Sequence, residues 1–224
     1  MRSTPFQSAI LCTVSGLSSV RAEAATVGAG ALLSQLSAAA SPSAGESFED
    51  VLRPLTRAAF DCLGDPEAGA KPGALKEGER DYRVAGIFVI TPDRRYNMLV
   101  ASQGFPPEQR RLAIPVAWNH PGHVVETEAP LILENTDDHA EFRQFLRTSR
   151  MGSSLYHPIR SDGVMVAQIV AAAQARNTYT RADLDSLAAI AGIAGLIWSL
   201  RGGNAFVAED YPAPDIWRAE EKAL

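Results

Sequence analysis

The chain has 224 residues, 46% of them hydrophobic and 21% charged, with a formal net charge of −5; this is the profile of one packed domain with appendages. The acidic balance and scattered Lys and Arg exclude a sequence-independent nucleic-acid binder, which needs a basic face to displace counterions, and they offer no cationic cluster to anionic lipid. The two cysteines, Cys12 and Cys62, form no CxxC pair. Neither a cysteine zinc knuckle nor a disulfide framework is expected, and a reducing, cytoplasmic setting is.

Residues 1–45 are rich in Ala, Ser and Gly and read as an N-terminal segment, helical or flexible. Its "AILCTVSGL" after Arg2 is too diluted by Thr, Ser and Gly for a secretory signal. A main domain is expected over 46–202, with a C-terminal tail over 203–224. A helix opens at Ser47, with Asp50 at capping-box spacing and Phe48, Val51, Leu52, Leu55, Ala58 and Ala59 on one face. Pro54 is expected near the first turn, where its missing N–H costs little.

Strands follow in "YRVAGIFVI" and "RYNMLVAS" about a Thr91-Pro92-Asp93-Arg94 turn. "GFPPEQRR" offers a short helix, "LAIPV" a short strand, "PGHVVETEAP" a short helix and "LILEN" a strand. An amphipathic helix is expected over 137–150, with Phe142, Phe145 and Leu146 inward. "SSLYHPIR" and "GVMVAQIVAAA" make a hairpin across Ser161-Asp162-Gly163. A last helix runs from a Thr180 cap to Gly202-Gly203. Its small residues Ala188, Ala191, Gly192, Ala194 and Gly195 should let the helix that opens at Ser47, or a second copy, approach closely. The apolar run Leu187 to Trp198 is shorter than the roughly 18–20 residues of a membrane span, so no membrane association is expected. In the tail, Trp217 reads as a surface-packing anchor. Helices segregated from an antiparallel sheet define an α+β fold.

From Tyr82 to Trp198 the stretches "GIFVI", "NMLVASQGFP", "HPGHVVETEAPLILENT", "SSLYHPIRSDGVMVAQIVAAA" and "RNTYTRADLDSLAAIAGIAGLIW" resemble the GAF domain, a small-molecule sensory module of signalling proteins. The resemblance implies a GAF-like central antiparallel sheet, N- and C-terminal helices on one face and a ligand cavity on the other. Asn177, Tyr179 and Asp183 match parts of a cyclic-nucleotide signature, but its Lys is absent and Leu184 stands where its Glu would be. Relatives that reduce free methionine-R-sulfoxide, or that attach bilins, use cysteines inside the domain; none lies between Tyr82 and Trp198.

The stretch "AWNHPGHVV" carries His120 and His123 around Pro121-Gly122. This is not the i,i+4 spacing that brings two metal-ligating rings onto one helix face. As a catalytic pair it lacks a nucleophile with base and orienting partner, and the chain reads as a sensor more than an enzyme. As a pocket rim it is coherent. Pro121 at the first helical position would leave the N–H groups of Gly122, His123 and Val124 as outward donors for an anion, with Trp118 and His120 as walls. Strand alternation groups Ser154 with Tyr156, and Tyr96 with Met98. All four are expected to face the cavity, and Arg150 is the candidate to pair an anionic group.

The expected protein is therefore a stand-alone sensor for a small molecule, anionic or aromatic. It would report through terminal helices, as a homodimer or to a separate regulatory protein. The alternative left open is a haem- or metal-binding member using His120, His123 or His157 as a ligand, and behind it a small GAF-fold enzyme.

Overall fold

The structure is a computed structural model that describes residues 30–37, 45–139, 150–211 and 217–218. The expected helix face with Phe142, Phe145 and Leu146 lies outside the described residues, as does most of the N-terminal segment. Within that segment a helix, α1 (30–37), packs Leu32 and Leu36 onto the core.

Helix α2 (Phe48–Cys62) begins at its sequence-predicted cap. The Asp50 amide donates to Ser47 Oγ at 3.2 Å, and the Ser47 hydroxyl donates to Asp50 Oδ2 at 2.6 Å. Pro54 lies beyond the first turn, inside the helix, where it can offer no N–H to the Asp50 carbonyl. The sheet then builds from β1 (Arg83–Ile90), β2 (Tyr96–Gln103) and β3 (Leu112–Pro115). Helix α3 (Asn119–Thr127) and the short β4 (Leu131–Leu133) follow. The β5 (Ser153–Ser161) and β6 (Val164–Ala173) hairpin turns on Asp162 and Gly163, with φ of 52° and 80°; two consecutive positive φ values match the right-handed twist of the paired strands.

Helix α4 (Arg181–Leu200) carries a full capping box between Thr180 and Asp183. Beyond Arg201 the chain turns into a further helix, α5 (Gly203–Asp210), and a two-residue strand, β7 (Trp217–Arg218). Residues 203–211, the start of the region read as a tail, are thus part of the folded body: Val207 is buried in the core and Phe206 stacks on Phe48 at 4.9 Å between centroids. Of Trp217 only the backbone is described; it lies opposite Leu112 in the sheet.

Among the described residues the strand order is β4-β5-β6-β1-β2-β3-β7. The first six pair antiparallel, and β7 joins β3 in parallel. In β2 an extra residue at Val100 interrupts the pairing with β1, since Ile87 faces Ala101 and Phe88 faces Leu99; such a bulge sharpens the local twist.

Helices α1, α2 and α4 cover one face of the sheet. Val51, Leu52 and Leu55 of α2 and Leu184, Leu187 and Ile190 of α4 meet Ile87, Val89, Met98, Leu155 and Ile169 there. Phe48 closes edge-on against Trp198 at 5.5 Å, so α2 and α4 do pack together. The closest approach permitted by the small residues of α4 is to the sheet, however. A Cβ on Gly195 would fall 2.1 Å from the Arg160 carbonyl oxygen, whereas Gly192 has open space around it. By length and composition α4 could cross a membrane, more than its apolar run suggested. Its Leu184, Leu187, Ile190, Ile197 and Trp198 are instead buried in this core.

Candidate functional site

The opposite face of the sheet is roofed by α3. Phe88, Ile90, Leu99, Leu112, Ile114, Tyr156 and Val170 project from the strands, and Val124, Val125 and Trp118 come down from the roof onto them. At the edge of this face Arg160 lies opposite Met165 of the cluster and pairs with Glu128 at the end of α3. Buried polar residues also lie on this face by strand register. Asn97 lies opposite Ile90 and Ile114, Gln168 opposite Phe88 and Pro158, and Ser154 opposite Leu133. Asn97 and Gln168 have no solvent exposure. The Gln168 Nε2 group donates to Asn97 Oδ1 at 3.0 Å and to the Pro121 carbonyl of α3, also at 3.0 Å, so a single amide ties the platform to the roof. Asn97 Nδ2 and Gln168 Oε1 are buried without a hydrogen-bond partner, an arrangement that costs free energy and calls for a reason. Burial pushes the Tyr156 phenol up, while a hydrogen bond with Ser154 acts in the opposite sense.

Of the residues read from sequence, Trp118, Ser154 and Tyr156 lie on the roofed side, and half-buried His120 belongs to the roof helix. Tyr96 and Met98 do not: Met98 is in the core beneath α2 and α4, and Tyr96 packs against it. Alternation shows which residues share a face, but which face meets the roof is decided by where the helices dock. Asn97 and Leu99 therefore take the places expected of Tyr96 and Met98. The expected row of free amides is also corrected. Helix α3 starts at Asn119, so Pro121 is its third residue, and the Gly122 N–H donates to the Trp118 carbonyl at 3.3 Å. Gly122 serves instead for close approach, because a Cβ there would lie 2.0 Å from the Val116 carbonyl oxygen.

The histidines do not converge. His123 is exposed, His120 meets His139 edge-on at 5.8 Å between centroids, and His157 sits on β5 between Leu155 and Ile159, whose side chains enter the helix-covered core. Burial lowers the pKa of His157. Among the described residues no group of three or more His, Cys, Asp or Glu is placed to hold a metal ion. Asp183, read as part of a nucleotide signature, instead accepts from the Thr180 amide at 2.7 Å and from the Gly64 amide at 2.8 Å.

Arg150 is paired with Asp137 at 3.3 Å. That carboxylate also meets Lys76 at 2.7 Å and Arg176 at 3.0 Å. The Lys76 hydrogen bond first, then that of Arg176, holds Asp137 down at about 2. Burial would raise Glu79, but the hydrogen bonds from Arg176 and from the Lys76 amide outweigh it and leave its pKa lowered. A carboxylate held lower in the folded state than in the unfolded chain contributes stability above its unfolded pKa and loses it as the folded group is protonated. Thermal stability should therefore fall between about pH 4 and pH 2, and Asp137→Asn should flatten that part of the melting-temperature profile.

Sequence reading passed over Asn97 and Gln168. Their signal was present: single uncharged amides inside the otherwise apolar runs "YNMLVAS" and "GVMVAQIVAAA", where an unpaired polar group is costly.

An α+β domain with helices on one face of an antiparallel sheet and a short helix roofing an apolar face with buried polar groups has the form of a small-molecule-binding module. Residues 73–199 match the GAF domain family model, and the chain belongs to that family. No curated protein matches the sequence. Among solved structures, the GAF domain from an Acinetobacter phosphoenolpyruvate-protein phosphotransferase is similar with a TM-score of 0.62 at 16% identity, covering 78% of this chain and 93% of that one. The corresponding domain from Coxiella burnetii gives 0.61 at 17%, covering 80% and 96%. Free methionine-R-sulfoxide reductase from Neisseria meningitidis, solved with its substrate, gives 0.59 at 17%, covering 81% and 93%. At these identities the likeness is one of fold.

Proposed function

We propose that this GAF domain is a non-enzymatic, cytoplasmic sensory module that binds a small molecule between α3 and the sheet and reports the bound state through its terminal helices. The observation that carries this reading is the pair of buried, unpartnered polar atoms of Asn97 and Gln168 on the roofed face. A ligand that meets them would bind more tightly when α3 is closed, and only such a difference in affinity can shift an equilibrium between two arrangements. An anionic ligand loses support, since Arg150 faces Asp137 and the Gly122 amide is engaged.

Reductase chemistry of the kind found in the Neisseria relative is not supported by Cys62. That thiol lies at the end of α2, on the far side of the sheet from the roof, and burial raises its pKa, with Asp61 adding to the effect; an attacking thiolate needs the reverse.

The output surface in this reading is the outer side of α4. Ala189, Ile193, Leu196 and Leu200 follow the alternating spacing of a two-stranded helical seam; Leu196 and Leu200 are 64% and 80% exposed. A seam of this kind complements itself across a two-fold axis, so the partner is a second copy. Native mass spectrometry of gently purified protein tests both parts at once. The expected spectrum is a dimer carrying a small-molecule mass that leaves on denaturation. A mass equal to the bare chain, unchanged after incubation with a small-molecule extract of the source cells, would count against the reading.

A further inference from the structure

The two buried amides on the roofed face define what kind of ligand group they can accept. The Pro121 carbonyl can only accept a hydrogen bond, so the end of Gln168 directed at it is the NH2 group. That same NH2 donates to Asn97, which must therefore turn its oxygen toward Gln168. The network fixes both orientations. What remains is one donor, Asn97 Nδ2, and one acceptor, Gln168 Oε1, on fully buried side chains joined by a 3.0 Å hydrogen bond. Around them are Phe88, Leu99, Ile114 and Val124.

We propose that this amide pair recognises an uncharged ligand group with a donor beside an acceptor, such as a primary carboxamide, a lactam or the edge of a urea or pyrimidinone ring. This rests on the reading of the roofed face as the ligand site and specifies its chemistry. A carboxylate would satisfy Asn97 Nδ2 but bring its charge against Gln168 Oε1; an ammonium would do the reverse. Either would bring its charge among apolar side chains beside amides that water does not reach, and burying an unpaired charge is far costlier than burying a neutral amide whose bonds are made. A neutral donor–acceptor group satisfies both amides at once.

The test uses matched probes on the 15N-labelled full chain at pH 7.5: acetamide with acetate, benzamide with benzoate, nicotinamide with nicotinate. The side-chain NH2 resonances of Asn97 and Gln168 are followed, together with Leu133 and Val170 as reporters of the roofed face. The expected result is that within the best-binding pair the amide shifts the Asn97 and Gln168 resonances and binds at least tenfold more tightly than its carboxylate. Asn97→Leu should abolish that preference, and the wild-type comparison stands even if this variant does not fold. Carboxylates that bind this face as tightly as their amides would overturn the neutral class while leaving the roofed site intact. If no probe perturbs Leu133 or Val170, both the class and the site fall. A folded Asn97→Leu protein that keeps the amide preference would show that other groups recognise the ligand, and would overturn the assignment.

Discussion

Arg176→Ala should destabilise the domain by about 3–5 kcal/mol, the cost of breaking a buried ion pair by removing one partner. Arg176 follows the end of β6, and its side chain is 4% exposed. Its guanidinium donates to Glu79 Oε1 at 3.0 Å and Asp137 Oδ2 at 3.0 Å, reaches the second oxygen of Glu79, and reaches the Gln174 carbonyl at 3.3 Å. One planar fork thus gathers the loop before β1, the turn after β4 and the exit of β6. Asp137 would keep Lys76 and Arg150, so most of the loss falls on Glu79, which is largely buried. Arg176→Lys keeps the charge but cannot span both carboxylates, and an intermediate loss is expected. Urea denaturation of the three proteins measures this. A loss below about 1 kcal/mol for the alanine variant would place the cluster among solvated surface pairs.

Gly122→Ala is expected to lift the roof. The new Cβ would lie 2.0 Å from the Val116 carbonyl oxygen and 3.0 Å from its carbon, and backbone cannot swing aside as a flexible side chain can. Alanine favours a helix over glycine by roughly 0.5–1 kcal/mol, whereas overpacking against fixed structure costs about 1–3 kcal/mol, so the clash wins. Because Pro121 is the neighbour in sequence and its carbonyl holds Gln168, displacement of α3 should separate roof from platform. The expected outcome is at least a tenfold loss of retained ligand by native mass spectrometry, with far-ultraviolet circular dichroism unchanged. A variant that retains ligand as the parent does would show that the roof does not gate the site.

Much of the fold could be read from local chemistry. Ser47 with Asp50 and Thr180 with Asp183 cap their helices as their spacing requires, and Asp162-Gly163 makes the hairpin turn. Strand alternation correctly grouped Ser154 with Tyr156 and Tyr96 with Met98. It could not say which group meets the roof, because that depends on α2 and α4 docking from distant parts of the chain. The histidine pair drew attention through its chemistry, yet α3 begins two residues before Pro121 and its backbone bonds absorb Gly122. Asn97 and Gln168 carry neither charge nor nucleophile, and their role emerges only when strands from separate hairpins bring them within 3.0 Å. Helix α5 was hidden because no strong period marks "GNAFVAED"; burial of Val207, with Phe206 packed on Phe48, gives it its place.

The most direct measurement is a crystal structure of protein purified gently enough to keep what it binds. A small molecule lying between α3 and the sheet, with polar atoms on Asn97 Nδ2 and Gln168 Oε1, is the expected result. Water alone on those two amides, or a ligand seated on the helix-covered face, would contradict it.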